Sequence, residues 1–168
     1  MKTNLMRCLT GLMCAALGSA WAEETSPVSA GLDLSVLSSY VFRGQVLNDK
    51  AVVQPSLTVS KSGFALNTWA NYNLDGSYSG DNEHEFSELD LTASYSKRVG
   101  PVNLGVGVVQ YTFPNQVLTV SDETTTTQTA YPATREVYVS VGLPDVVLAP
   151  TLTVYRDFDT IAGFYATL

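Results

Sequence analysis

From Gly31 to Phe42, apolar and polar residues alternate almost one by one. Leu32, Leu34, Val36, Ser38, Tyr40 and Phe42 form one set; Asp33, Ser35, Leu37, Ser39 and Val41 form the other. Successive side chains of a strand point to opposite faces, so a period of two predicts a strand with one apolar face. The pattern returns over 51–60, 64–74, 86–97, 102–113, 135–143 and 146–158, and an eighth strand begins at Ile161. Val53, Leu57 and Val59 oppose Gln54, Ser56 and Thr58. Leu104, Val106 and Val108 oppose Asn103, Gly105 and Gly107. On the third strand Asn67, Asn71 and Asn73 share a face, which suits a hydrogen-bonded interior and not hydrocarbon. Pro55 lacks a ladder donor and predicts a bulge or weakened pairing.

The connections alternate in length. Short turns at 61–63, 98–101 and 144–145 separate longer loops at 43–50, 75–85 and 114–134. Outer-membrane barrels have short periplasmic turns and longer extracellular loops, and a tilted strand crosses a bilayer in about 9–11 residues. The pattern therefore predicts an all-β fold, an antiparallel up-and-down transmembrane β-barrel. Seven to eight strands are present. The chain stops within the last one, at Ala166-Thr167-Leu168, without a closing aromatic residue, so the expectation is a barrel truncated from a larger one. Tyr40, Phe42, Tyr72, Tyr95 and Tyr155 are expected in the aromatic girdles at the two membrane interfaces.

The first 22 residues read as a cleaved export signal. Lys2 and Arg7 precede a short apolar core, and Ala20-Trp21-Ala22 fits the cleavage pattern. The core is too short for a spanning helix. Met13 fits poorly before Cys14 for lipidation. Residues 23–30 then form a periplasmic lead-in and 31–168 the β domain. Cleavage removes both cysteines, leaving no thiol for a disulfide or a metal. It also removes Lys2 and Arg7, taking the net charge from −7 to −9.

That charge argues against a nucleic-acid partner, because phosphate binding needs a basic patch. Charged residues make up only 15% of the chain, against about 25% in soluble domains. Low charge without a helical span leaves a β-rich soluble protein or a barrel in lipid.

Candidate chemistry is sparse. His84, the single histidine, sits among Asp81, Glu83 and Glu85, with Asp75 and Glu88 nearby. The spacing matches no metal loop, and a solvated acidic loop is the simpler account. No nucleophile motif such as G-x-S-x-G occurs. An enzyme is therefore not expected, nor a cofactor or metal. Arg43 reads as a pore-mouth charge, a lipid-phosphate contact or a structural rim arginine. Asp33, Glu88, Asp90, Glu136 and Arg156 are expected on polar faces, lining a small lumen or filling it with salt bridges. The expected function is a narrow channel for small solutes or a structural envelope protein, with outer-membrane lipid as partner. The alternative is a secreted or periplasmic soluble β-barrel that binds a small ligand.

Ser38-Ser39-Tyr40-Val41-Phe42-Arg43-Gly44 is followed by Gln54-Pro55-Ser56-Leu57, Ser62-Gly63-Phe64 and Trp69-Ala70-Asn71. In this run, over about residues 31–112, the chain resembles the Gcw_chp family of proteobacterial proteins. The resemblance implies an outer-membrane barrel with more strands than are present here. It implies no substrate and no catalytic residues.

Overall fold

The computed structural model describes residues 27–75, 83–121 and 125–168. The expected export signal lies outside them. Twelve strands follow in order: β1 (Ser29–Leu37), β2 (Tyr40–Phe42), β3 (Gln45–Asn48), β4 (Val52–Lys61), β5 (Phe64–Asn73), β6 (Phe86–Val99), β7 (Val102–Thr112), β8 (Val117–Ser121), β9 (Thr126–Ala130), β10 (Thr134–Gly142), β11 (Thr151–Asp157) and β12 (Phe164–Thr167). Eight of them form one antiparallel sheet, in the order β1-β4-β5-β6-β7-β10-β11-β12. β2–β3 and β8–β9 are separate hairpins inserted into two of the long loops. The expected meander is present, but the ladder is not closed. β1 and β12 are free edges, so the sheet forms no barrel of its own.

Register makes the two faces continuous across the sheet. One row runs Val59, Leu66, Ala93, Val108, Val137 from β4 to β10. A neighbouring row runs Phe64, Tyr95, Val106, Val139, Val154. These residues belong to an outer face that leaves large apolar side chains bare on every strand, from Leu32 and Leu34 on β1 to Phe164 on β12. The opposite face carries the row Asp33, Ser56, Trp69, Asp90, Tyr111, Thr134. The parity expected for Leu104, Val106 and Val108 against Asn103, Gly105 and Gly107 holds. All three apolar residues are exposed, whereas Val109 and Tyr111, of the opposite parity, are buried.

Aromatic pairs stand on the outer face at both ends of the strands. Phe64 and Tyr95 (centroids 5.0 Å or less apart, at 4.6 Å) lie beside the short turns. Tyr72 and Phe86 (5.0 Å) lie beside a long loop. Phe64 and Tyr72 are eight positions apart along the strand, roughly 27 Å at about 3.4 Å per residue.

Local chemistry explains the elements. Ser62 and Gly63 both have positive φ (50° and 86°), the conformation of a two-residue hairpin turn matched to strand twist. Pairing of β4 with β5 lapses at Gln54 and Pro55 and resumes in the same register, as expected where proline withholds a donor. The register shift falls elsewhere, between Asn71 and Tyr72 on β5, opposite β6.

Three sequence expectations need correction. The first strand ends at Leu37, not Phe42, and the expected loop at 43–50 is the return strand of a hairpin. The seventh strand starts at Thr151, because Leu148 and Ala149 take positive φ (71° and 41°) and break the extension. The longest loop carries the exposed β8–β9 hairpin.

Candidate functional site

The polar face is filled at its loop end by the β2–β3 hairpin, which carries Tyr40, Phe42 and Arg43. After Leu37, Ser38 and Ser39 interrupt the strand. Arg43 and Gly44 then turn it with φ of 50° and 80°. The hairpin does not continue the wall; it folds onto the inner face and meets the sheet strand by strand. Tyr40 packs on Trp69 of β5 (centroids 5.6 Å) and donates to Glu88 Oε2 of β6 at 2.7 Å. Phe42 meets the edge of Tyr111 on β7 (6.0 Å). Arg43 donates to both carboxylate oxygens of Glu136 on β10, at 2.7 and 2.5 Å. Its guanidinium also lies 5.0 Å from the Tyr155 ring of β11 and 4.2 Å from the Tyr165 ring of β12. Tyr111 donates to Glu136 Oε2 at 2.9 Å, so this carboxylate is held by three donors.

An amide network fixes the returning strand. Asn48 donates to Asn73 Oδ1 at 2.8 Å, and Asn71 donates to both Asn73 Oδ1 (3.0 Å) and Ser87 Oγ (2.8 Å). Gln54 donates to Asn71 Oδ1 at 3.0 Å, bridging the place where the Pro55 ladder lapses. Asn48, Asn71 and Asn73 are almost fully enclosed. Buried amides are tolerated when they are hydrogen-bonded to one another. Tyr40, Val52 and Trp69 are the apolar centre, with Leu37, Phe42 and Leu47 packed around them.

Charges on the hairpin respond to this enclosure. Burial works against the Arg43 cation, but the Glu136 hydrogen bond and charge outweigh it and hold its pKa above the ordinary arginine value. Burial, with Glu88 beside it, raises the Tyr40 phenol well above its ordinary value, so the hydroxyl stays a donor.

The sequence-derived candidates therefore divide. Arg43, Glu88 and Glu136 are brought together on the inner face, with Asp90 in the adjacent row between Trp69 and Tyr111. Asp90 Oδ1 is buried without a hydrogen-bond partner. Asp33 has the same facing but stands exposed on the β1 edge. Arg156 is a correction: it pairs with Val137 and Phe164 in an outer row, so it stands on the face opposite Glu88, Asp90 and Glu136. Tyr40, Phe42 and Tyr155 are corrected the other way. They line the inner cluster and do not belong to a girdle, whereas Tyr72 and Tyr95 do stand outside. Trp69, Tyr111 and Tyr165 were not singled out by sequence reasoning. Their odd-position parity on β5, β7 and β12 was the available signal.

Of the histidine loop, Asp81 lies outside the described residues. His84 is exposed, with its backbone N–H on Asn73 O. Among the described residues, no group of His, Cys, Asp and Glu is arranged to hold a metal ion.

The family model for a bacterial protein of unknown function, Gcw_chp, matches residues 21–162, and the chain belongs to this family. No curated protein and no solved structure matches it.

Proposed function

We propose that the protein is an outer-membrane β-barrel protein whose wall includes this sheet and whose interior is plugged on the loop side by the β2–β3 hairpin. One observation carries the reading: all eight strands leave large apolar residues exposed on one face, while most of the buried polar residues lie on the other. Water would penalise such a face along its full length, because exposed apolar patches on soluble proteins rarely exceed a few hundred Å². A bilayer would cover it. Aromatic pairs at both ends of the strands fit the two interfaces of an apolar band about 25 Å tall. In lipid the free edges of β1 and β12 must be paired, since unsatisfied backbone groups are costly there.

Within this reading the hairpin favours a structural envelope protein over an open channel. It occupies the inner face from β5 to β12 with paired charges and packed rings. A small-ligand-binding soluble barrel would instead need a cavity with bare apolar walls facing inward, and here the apolar walls face outward.

Fractionation tests the location. Cells are lysed without detergent and the membranes washed with high salt. The protein should stay in the membrane pellet and leave it only with detergent. Recovery in the soluble periplasm or the medium would overturn the proposal.

A further inference from the structure

Arg135 and Arg156 occupy neighbouring positions on the outer face, at the loop ends of β10 and β11. Arg156 lies opposite Val137, and Arg135 is two residues further toward the loop. Such diagonal neighbours are roughly 7–8 Å apart, close enough for both side chains to reach one phosphate. Arg135 donates to Gln110 Oε1 and forms a long, solvent-exposed ion pair with Asp159, both at 3.4 Å. Arg156 lays its guanidinium on the Phe164 ring (4.6 Å) and donates to Ala162 O. Among the described residues it has no carboxylate within ion-pairing distance. The carboxylates of these strands, Glu136 and Asp157, point to the other face.

The surroundings are apolar. Phe158, Ile161 and Phe164 are exposed around the two arginines, and Val137 and Val139 continue the bare face below them. In a chain of net charge −7, two outward cations, one held only in an exposed ion pair and the other facing no carboxylate, fringed by exposed aromatic residues, suit a partner that is both anionic and apolar. We infer that Arg135 and Arg156 form a binding site for the phosphate group of a membrane lipid in the loop-side leaflet. The guanidiniums would donate to the phosphate oxygens, and Phe158, Ile161 and Phe164 would lie against the acyl chains. The inference rests on the membrane reading above.

Spin-label electron paramagnetic resonance on the full chain tests it. The protein is reconstituted in phosphatidylcholine vesicles carrying spin-labelled phosphatidic acid or spin-labelled phosphatidylcholine. The motionally restricted fraction gives the relative affinity of the two lipids. The unaltered protein should prefer phosphatidic acid, and Arg135→Gln and Arg156→Gln should each cut that preference, by roughly fivefold if each arginine acts as one interfacial cation. Arg156→Lys should retain part of it. A preference unchanged in the double glutamine variant would overturn the site. So would a loss produced instead by Lys61→Gln with Lys97→Gln, on the turn side. Abolition by millimolar inorganic phosphate in the buffer would assign the arginines to free phosphate and overturn the lipid inference. If neither labelled lipid is restricted, the membrane reading itself fails, and the site with it.

Discussion

Arg43 and Glu136 are 93 residues apart and form a two-point ion pair, with Nη1 and Nη2 each donating to one carboxylate oxygen. The pair ties the tip of an inserted hairpin to the far side of the sheet. Glu136 is almost fully enclosed, its side chain 4% exposed. Removing the arginine leaves a buried charge with only the Tyr111 hydroxyl.

Arg43→Ala should therefore destabilise the fold by about 3–5 kcal/mol, the usual consequence of breaking one side of a buried pair. Arg43→Lys should recover little, because an ammonium offers neither the fork nor the stacking on Tyr155 and Tyr165. Urea unfolding of the protein in detergent micelles measures both. Stability unchanged in Arg43→Ala would show that the hairpin is not held at its tip.

Tyr40→Phe tests the other anchor. The ring packing on Trp69 is kept while Glu88 loses its 2.7 Å donor. The expected cost is about 1–3 kcal/mol, the penalty for leaving a buried acceptor unpaired. Combined with Arg43→Ala, the losses should be non-additive if the hairpin docks as one unit.

A third prediction concerns Gly107. A Cβ built there would come within 2.5 Å of the Tyr138 ring, which lies against the bare glycine on the inner face. Gly107→Ala should destabilise, by about 1–3 kcal/mol as for other overpacked sites. Gly107→Ala with Tyr138→Ser should be milder than the single alanine change, as a double-mutant cycle would show.

Conduction provides a fourth test. With the hairpin docked, planar-bilayer recordings should be silent or show only small events. Arg43→Ala should raise the frequency of open events, and neutralising Glu88 and Asp90 together should reduce any cation preference of the opened state, since carboxylates at a constriction favour cations. Large, steady conductance from the unaltered protein would contradict the plug.

The wall of this fold is legible in the sequence because its period is two and both faces are uniform. The positions of Leu104, Val106 and Val108 against Gly105 and Gly107 are enough to orient β7 and, through its register, β6 and β10. The hairpin is not legible, because alternation runs on through Tyr40 and Phe42 as if the strand did. The missed signal was Arg43-Gly44 set between Val41-Phe42 and Gln45-Val46, a two-residue turn flanked by strand formers, with arginine where asparagine or glycine is usual. The charge of Arg156 suggests an inner position, but its parity does not, since Leu152, Val154 and Phe158 share its facing. The meeting of Arg43 with Glu136 depends on a chain reversal into the interior, which no local pattern encodes.

The account depends most on which face meets lipid. Nitroxide labels at Leu104, Val106 and Val108, and at Thr92 and Ser94, measure this directly in reconstituted vesicles by collision with oxygen and with a water-soluble nickel chelate. The first three should be open to oxygen and shielded from nickel, and Val106→Arg should cost about 2–4 kcal/mol, as near a bilayer midplane. Nickel access at 104, 106 and 108 equal to or above that at 92 and 94 would contradict the membrane-facing assignment of the apolar face.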